Sequence, residues 1–248
     1  MLKLSYKFIF LFNALYRIKY YILFFFLIAF NNFAQDIRSN SFYYPHSLEP
    51  KKILHTVGLS TANLPEAVVE SDDAFRAPLL YYKIKYGLPN NFLMEGTFKT
   101  NIVTYHFTVG PKWVYEFGKL NASIGADAAF YYGIYKSSDF DSKIRGWSLY
   151  PNLTVGYLFP NFSVSLKTEL FLLADQRAFT SHIEVDDSYK TFSGFAFSTY
   201  LEQPLFKNNY FVIGFRANYT SFYYPIWIAF STFDRFFFIP EVMFSFNL

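Results

Sequence analysis

The chain has 248 residues, 24% of them aromatic with 34 Phe and 22 Tyr, yet only 17% are charged and the mean hydropathy is +0.13. A helical membrane protein would show repeated uncharged apolar runs of about 18 residues or more, whereas the one good run here is N-terminal; a soluble domain of this length could not bury so much Phe and Tyr. The absence of Cys excludes disulfides, thiolate metal sites and an acylated-Cys anchor, and the net charge of +3 includes no basic stripe suited to nucleic acid.

The first 34 residues read as a signal peptide. Lys3, Lys7, Arg17 and Lys19 form a basic n-region, residues 21–30 an apolar h-region, and Ala34 the last leader residue. An h-region near 10 residues is short for a span of about 20, so export with cleavage is expected rather than a retained helix. Four of the 22 basic residues lie in this leader, leaving 18 against 19 acidic in the remainder. Residues 35–51, with Pro45, Pro50 and few aliphatics, read as an exposed N-terminal lead-in.

From residue 52 to 248 the hydrophobic period is two. Leu80, Tyr82, Ile84 and Tyr86 alternate with Tyr81, Lys83 and Lys85. Tyr105, Phe107, Val109, Trp113 and Tyr115 share one parity, with His106, Thr108 and Glu116 on the other. The same alternation runs through Ala122–Tyr132, Trp147–Phe159, Phe162–Leu172, Phe195–Leu201, Phe211–Ala217 and Phe238–Leu248. Eleven charges fall on the polar parity: Lys83, Lys85, Glu95, Lys99, Glu116, Asp127, Lys167, Glu169, Glu202, Arg216 and Glu241. A soluble antiparallel sandwich also alternates, but large aromatic and aliphatic side chains on the apolar parity of every strand match a lipid-facing belt with interfacial girdles.

The connections alternate in length. Short ones lie at 87–91, 118–119, 160–161 and 207–209, and longer ones at 61–78, 136–145, 174–190 and 223–235, with a short exception near Thr100. This asymmetry predicts an all-β, transmembrane, antiparallel up-and-down barrel of about ten strands (eight being the alternative), with tight turns on the periplasmic side. Pro111, Pro151 and Pro240 are expected at bulges or strand ends.

The C-terminal segment Glu241-Val-Met-Phe-Ser-Phe-Asn-Leu248 resembles the last-strand signal of bacterial outer-membrane β-barrel proteins, with Leu248 where that family usually ends in Phe. The segments Lys85–Asn91 and Gly110–Gly118 are similar to strand-turn pieces of uncharacterised small barrels of this kind. The resemblance implies residence in the cell outer membrane of a Gram-negative cell, contact with its lipid and lipopolysaccharide, and handling by the barrel-assembly machinery. It implies no activity.

A barrel this narrow has little free bore, so the eleven polar-parity charges are expected to pair and fill the lumen. That favours a structural or narrow-channel, porin-like role. Two other readings are a surface-binding barrel acting through its long outer loops and a rim-located hydrolase using His106 or His182, since a histidine at the outer rim could activate water or a hydroxyl. The loop carboxylates Asp72, Asp73, Asp139, Asp141, Asp186 and Asp187 most simply keep the loops soluble. No cofactor or metal is expected: there is no Gly-rich phosphate loop and no ligand-spaced pair of histidines.

Overall fold

The computed structural model describes residues 40–65, 76–136, 141–180, 183–186, 191–205, 209–229 and 235–248. The signal peptide, residues 35–39 of the lead-in, His182 and Asp187 lie outside the described residues. The strands are β1 (Ile53–Asn63), β2 (Arg76–Gly87), β3 (Phe92–Thr100), β4 (Thr104–Phe117), β5 (Leu120–Lys136), β6 (Asp141–Leu158), β7 (Ser163–Thr180), β8 (Ile183–Asp186), β9 (Phe192–Pro204), β10 (Tyr210–Thr220) and β11 (Phe237–Asn247). Neighbouring strands pair antiparallel in chain order, except that β9 pairs with β7, and β1 pairs with β11 from Thr56↔Asn247 to Ala62↔Glu241, which closes the ring. Ten of the described strands form the barrel; β8 is a short return strand on the far end of β7.

The period of two decides which side chain faces where. Leu59, Phe107, Trp147, Phe197, Phe238 and Phe244 are between 45% and 61% exposed on the outer wall, whereas Lys85, Glu202 and Glu241 inside are 2% exposed or less. Water would strongly disfavour so large a continuous apolar surface. Lipid is the solvent it suits, and closure leaves no strand edge unpaired within it.

Two expectations are corrected by the ladders. Residues 136–145 and 174–190 are largely strand: β5 and β6 stay paired up to Lys136↔Asp141, and β7 runs to Thr180. What reads as loop is a tall hairpin, made polar because it rises beyond the belt. Pro240 lies just past the end of the ladder with β1, but Pro111 and Pro151 sit in mid-strand. Each is tolerated because the register with one neighbour skips it, β5 for Pro111 and β7 for Pro151, where a missing N–H costs no bond.

The lead-in also departs from expectation. Ser41–His46 and Leu48 are buried, not exposed, and Phe42, Tyr43 and Leu48 share an apolar cluster with Leu54, Tyr81, Tyr200 and Met243 of the barrel wall. The segment sits inside the barrel at the end that carries the chain's C-terminus and the short turns.

Candidate functional site

The lumen holds three arrangements in sequence along its axis. At mid-depth, charges pair across four strands. Lys112 Nζ lies 2.5 Å from Asp127, Lys167 is 4.0 Å from Asp127 and 3.0 Å from Glu169, and Arg216 Nη1 is 2.6 Å from Glu169 in an ion contact without hydrogen-bond alignment. Asn152 joins by donating to Asp127 at 3.0 Å and accepting from Lys112 at 2.8 Å. Such a chain satisfies charges that would be costly unpaired away from bulk water. Lys112 is absent from the charge set read off the sequence, although its even number places it with Thr108 and Glu116.

Other polar-parity charges serve the N-terminal segment instead. Glu202 gathers donors from it: the backbone N–H groups of Phe42 at 2.6 Å, Tyr43 at 2.9 Å and Tyr44 at 2.8 Å, and the Ser41 hydroxyl. Asn247 of the closing strand donates to the same carboxylate at 2.8 Å. Successive backbone N–H groups converging on one carboxylate form an anion nest, the reverse of the usual case in that the protein supplies the anion as well. Lys85 donates to the Phe42 carbonyl and pairs with Glu95 at 3.2 Å. Glu116, exposed at the mouth, accepts from the Ser47 N–H and hydroxyl at 2.7 Å. Lys83 lies 4.4 Å above the Tyr43 ring, with Tyr81 and Tyr200 beside it. Two lumen glycines make room: a Cβ at Gly87 would collide with the Glu49 carbonyl, and one at Gly156 with Tyr44 and Pro45.

His46 sits within this segment. Its Nδ1–H donates to the Tyr44 carbonyl at 3.0 Å and its Nε2 is buried without a hydrogen-bond partner. Burial, and then the Lys85 charge, push its pKa down to about 4, so the ring is neutral at physiological pH.

At the opposite end the connection between β10 and β11 folds inward. Its 3-10 helix, Tyr224–Ala229, places Trp227 against Tyr131, Ile144 and Leu173, over Gly133, where any Cβ would strike the indole. Tyr223 donates to Glu241 at 3.3 Å, Ser60 donates to the same carboxylate at 2.5 Å, and Asn101 donates to the Pro225 carbonyl. His106 is buried beneath this cap. Its ring stacks on Tyr224 with centroids 3.9 Å apart, its Nε2 lies 3.3 Å from the Tyr150 hydroxyl, and its Nδ1 has no hydrogen-bond partner. Lys99 lies 6.0 Å from the Tyr81 ring, facing the chamber left between plug and cap. That chamber offers about 80 Å³ to water-sized occupants, lined by Phe42, Lys83, Lys99, Glu169, Arg216 and Tyr224 among others. Roughly six waters would fill it. Among the described residues no group of three or more His, Asp or Glu side chains is placed to hold a metal ion.

No protein-family model matches the chain, and no curated protein matches it. Solved structures to which it is similar are bacterial outer-membrane barrels. Neisserial surface protein A is 15% identical, covering 79% of this chain and 96% of its own, with a TM-score of 0.37. The NanC porin is 8% identical, covering 79% and 99%, with a TM-score of 0.40. The N-terminal barrel domain of Pseudomonas aeruginosa OprF is 10% identical, covering 81% and 100%, with a TM-score of 0.34.

Proposed function

We propose that this chain is an outer-membrane barrel closed at rest. It is a structural component of the envelope whose one path through is a narrow polar channel sealed by its own N-terminal segment. The observation that carries this reading is the Glu202 cluster, in which three backbone N–H groups and a hydroxyl of residues 41–44 converge on one lumen carboxylate. An ion-pair core alone would suit an inert post. A separate chain segment held in the bore by side-chain contacts that converge on one acidic residue, with Lys85, Glu116 and an apolar cluster beside it, suits a removable plug. The short turns and the C-terminus lie at the plugged end, which supports reading that end as periplasmic and the tall hairpins as outside.

The hydrolase reading draws no comparable support. His106 faces a tyrosine hydroxyl and is covered by a tyrosine ring, a packing environment rather than one that activates water.

Planar-bilayer recording tests the proposal. The wild-type barrel is expected to show no conductance steps, and Glu202→Ala combined with Trp227→Ala, which releases both closures, to show small discrete ones. A conducting wild type would overturn the closed state; a silent double variant would remove the channel and leave only the structural role.

A further inference from the structure

The outer wall of the barrel departs from its apolar pattern at the tops of β5, β6 and β7, the longest strands at 17, 18 and 18 residues. The register stacks three outward rows there, roughly 7 Å apart along the strands. The lowest is Phe130, Trp147 and Asp175, the next Tyr132, Arg145 and Arg177, the highest Ile134, Lys143 and Phe179. Arg145 and Arg177 therefore stand directly opposite each other on one face, an arrangement that like charges disfavour unless an anion lies between them. Arg177 has one exposed carboxylate neighbour, Asp175 at 3.9 Å. Neither Arg145 nor Lys143 contacts a carboxylate among the described residues; with Glu184 of β8 opposite Phe179 in the highest row, three cations stand against two carboxylates, Asp175 and Glu184, and the Arg145–Arg177 row itself holds no acid.

Immediately below, the same wall has a hollow. Gly96 leaves a gap between Phe98, Phe107 and Val109, and the hollow extends to Phe130 and Trp147 of the lowest row, with a volume of about 500 Å³. Its lining is almost wholly apolar, and its upper edge is the aromatic pair on which the basic rows rest. A cationic ledge one residue step above an apolar hollow, with aromatic rings at the junction, is complementary to one kind of molecule. The ledge suits a phosphate headgroup, which guanidinium groups grip in bidentate fashion, and the hollow suits an acyl chain.

We propose that Lys143, Arg145, Arg177 and the hollow at Gly96 form a binding site for one acylated, phosphorylated lipid of the leaflet beside the tall hairpins. The phosphate bridges Arg145 and Arg177, Lys143 neutralises its outer oxygens, and the acyl chain runs down past Trp147 into the hollow. The inference rests on the membrane-embedded reading above and adds to it a specific lipid partner.

The test uses the full chain in phosphatidylcholine nanodiscs doped with bisphosphorylated lipid A, with dephosphorylated lipid A, or with inorganic phosphate in the buffer, read by native mass spectrometry. Retention of one bisphosphorylated lipid per barrel is expected. Arg145→Gln with Arg177→Gln should weaken it about tenfold to a hundredfold, and Gly96→Leu should weaken it while leaving the phosphate preference intact. Heat-dependent gel migration verifies that each variant is folded. Equal retention of the dephosphorylated lipid, or undiminished binding by the double variant, overturns the headgroup half. Competition by inorganic phosphate as effective as that of lipid A reduces the site to an adventitious ion only and overturns the lipid assignment. A wild-type chain that fails to enter phosphatidylcholine at all would instead sink the membrane reading, an outcome distinct from insertion without lipid preference.

Discussion

The two mouths of the barrel are closed by different balances of the same forces. At the plugged end a length of irregular chain packs on an apolar cluster and is held there by charge: Glu202, Lys85 and Glu116 satisfy the backbone groups that an inserted segment would otherwise leave bare. At the capped end the closure is mainly aromatic, with Tyr224 on His106 and Trp227 in a cluster of Tyr131, Ile144 and Leu173. A polar latch rests on a few hydrogen bonds to charged side chains, most of them on Glu202. A packed lid spreads it over several rings, none decisive. The difference teaches that the plugged mouth is the more sensitive of the two to the loss of a single side chain.

The largest expected effect breaks the polar latch. Glu202→Ala strands three buried backbone donors, at about 1–3 kcal/mol each. Because the chain has no Cys, a single Ser41→Cys, which gives up one donor to Glu202 and keeps the three backbone ones, reports on the plug: its maleimide labelling should be slow with Glu202 in place and accelerate by about a hundredfold or more with Glu202→Ala. Equal rates would show that the latch is not the anchor.

Trp227→Ala is expected to act on the lid, lowering stability by about 3 kcal/mol through the cavity it opens while leaving Ser41→Cys labelling unchanged. Guanidinium titration of refolded barrels measures the first and the labelling assay the second. A faster-labelling Trp227→Ala barrel would mean that the ends are coupled and the contrast between them false.

The effect that is smallest near neutral pH, and that matches the others only at its acid limit, belongs to His46. Its folded pKa of about 4 lies below the ordinary value of 6.5, so the plug is held fully above about pH 6.5 and progressively less as pH falls toward 4. The limiting loss is about 3 kcal/mol, with Lys85 and Lys52 opposing the added charge and Glu116 favouring it. Relative to the same thiol in the unfolded chain, which corrects for the loss of reactive thiolate as pH falls, Ser41→Cys labelling should quicken on acidification, and His46→Phe should flatten that normalised profile between pH 7 and 4; an unchanged profile would remove the histidine from the latch.

Most of the barrel is legible in the sequence because a strand writes its orientation into every second residue. Tyr105 through Tyr115 declare an outward face without reference to any partner, and the charges on the other parity declare the lumen. Pairing is less legible. Lys112 carries the right parity, but its ion pair with Asp127 depends on the register between β4 and β5, which no local pattern specifies. The plug is the least legible. Phe42, Tyr43, Tyr44 and Leu48 have no period, and their burial depends on Glu202, roughly 160 residues away. The cap fails to announce itself for a similar reason, since Tyr224 and Trp227 read as loop aromatics until His106 and Gly133 are placed beneath them.

The distance in sequence between the plug and its anchor also sets an order of events. Residues 41–44 emerge first, but their acceptor lies on β9 and the neighbouring donor Asn247 on the final strand, where it also accepts from Thr56 of β1. The seam and the seat of the plug are thus completed by the same C-terminal residues. Contacts of such separation form slowly, so the N-terminal segment must wait, unsatisfied, until the last strand arrives. A segment made before every strand of the barrel is thus among the last to find its place, seated as the ring closes.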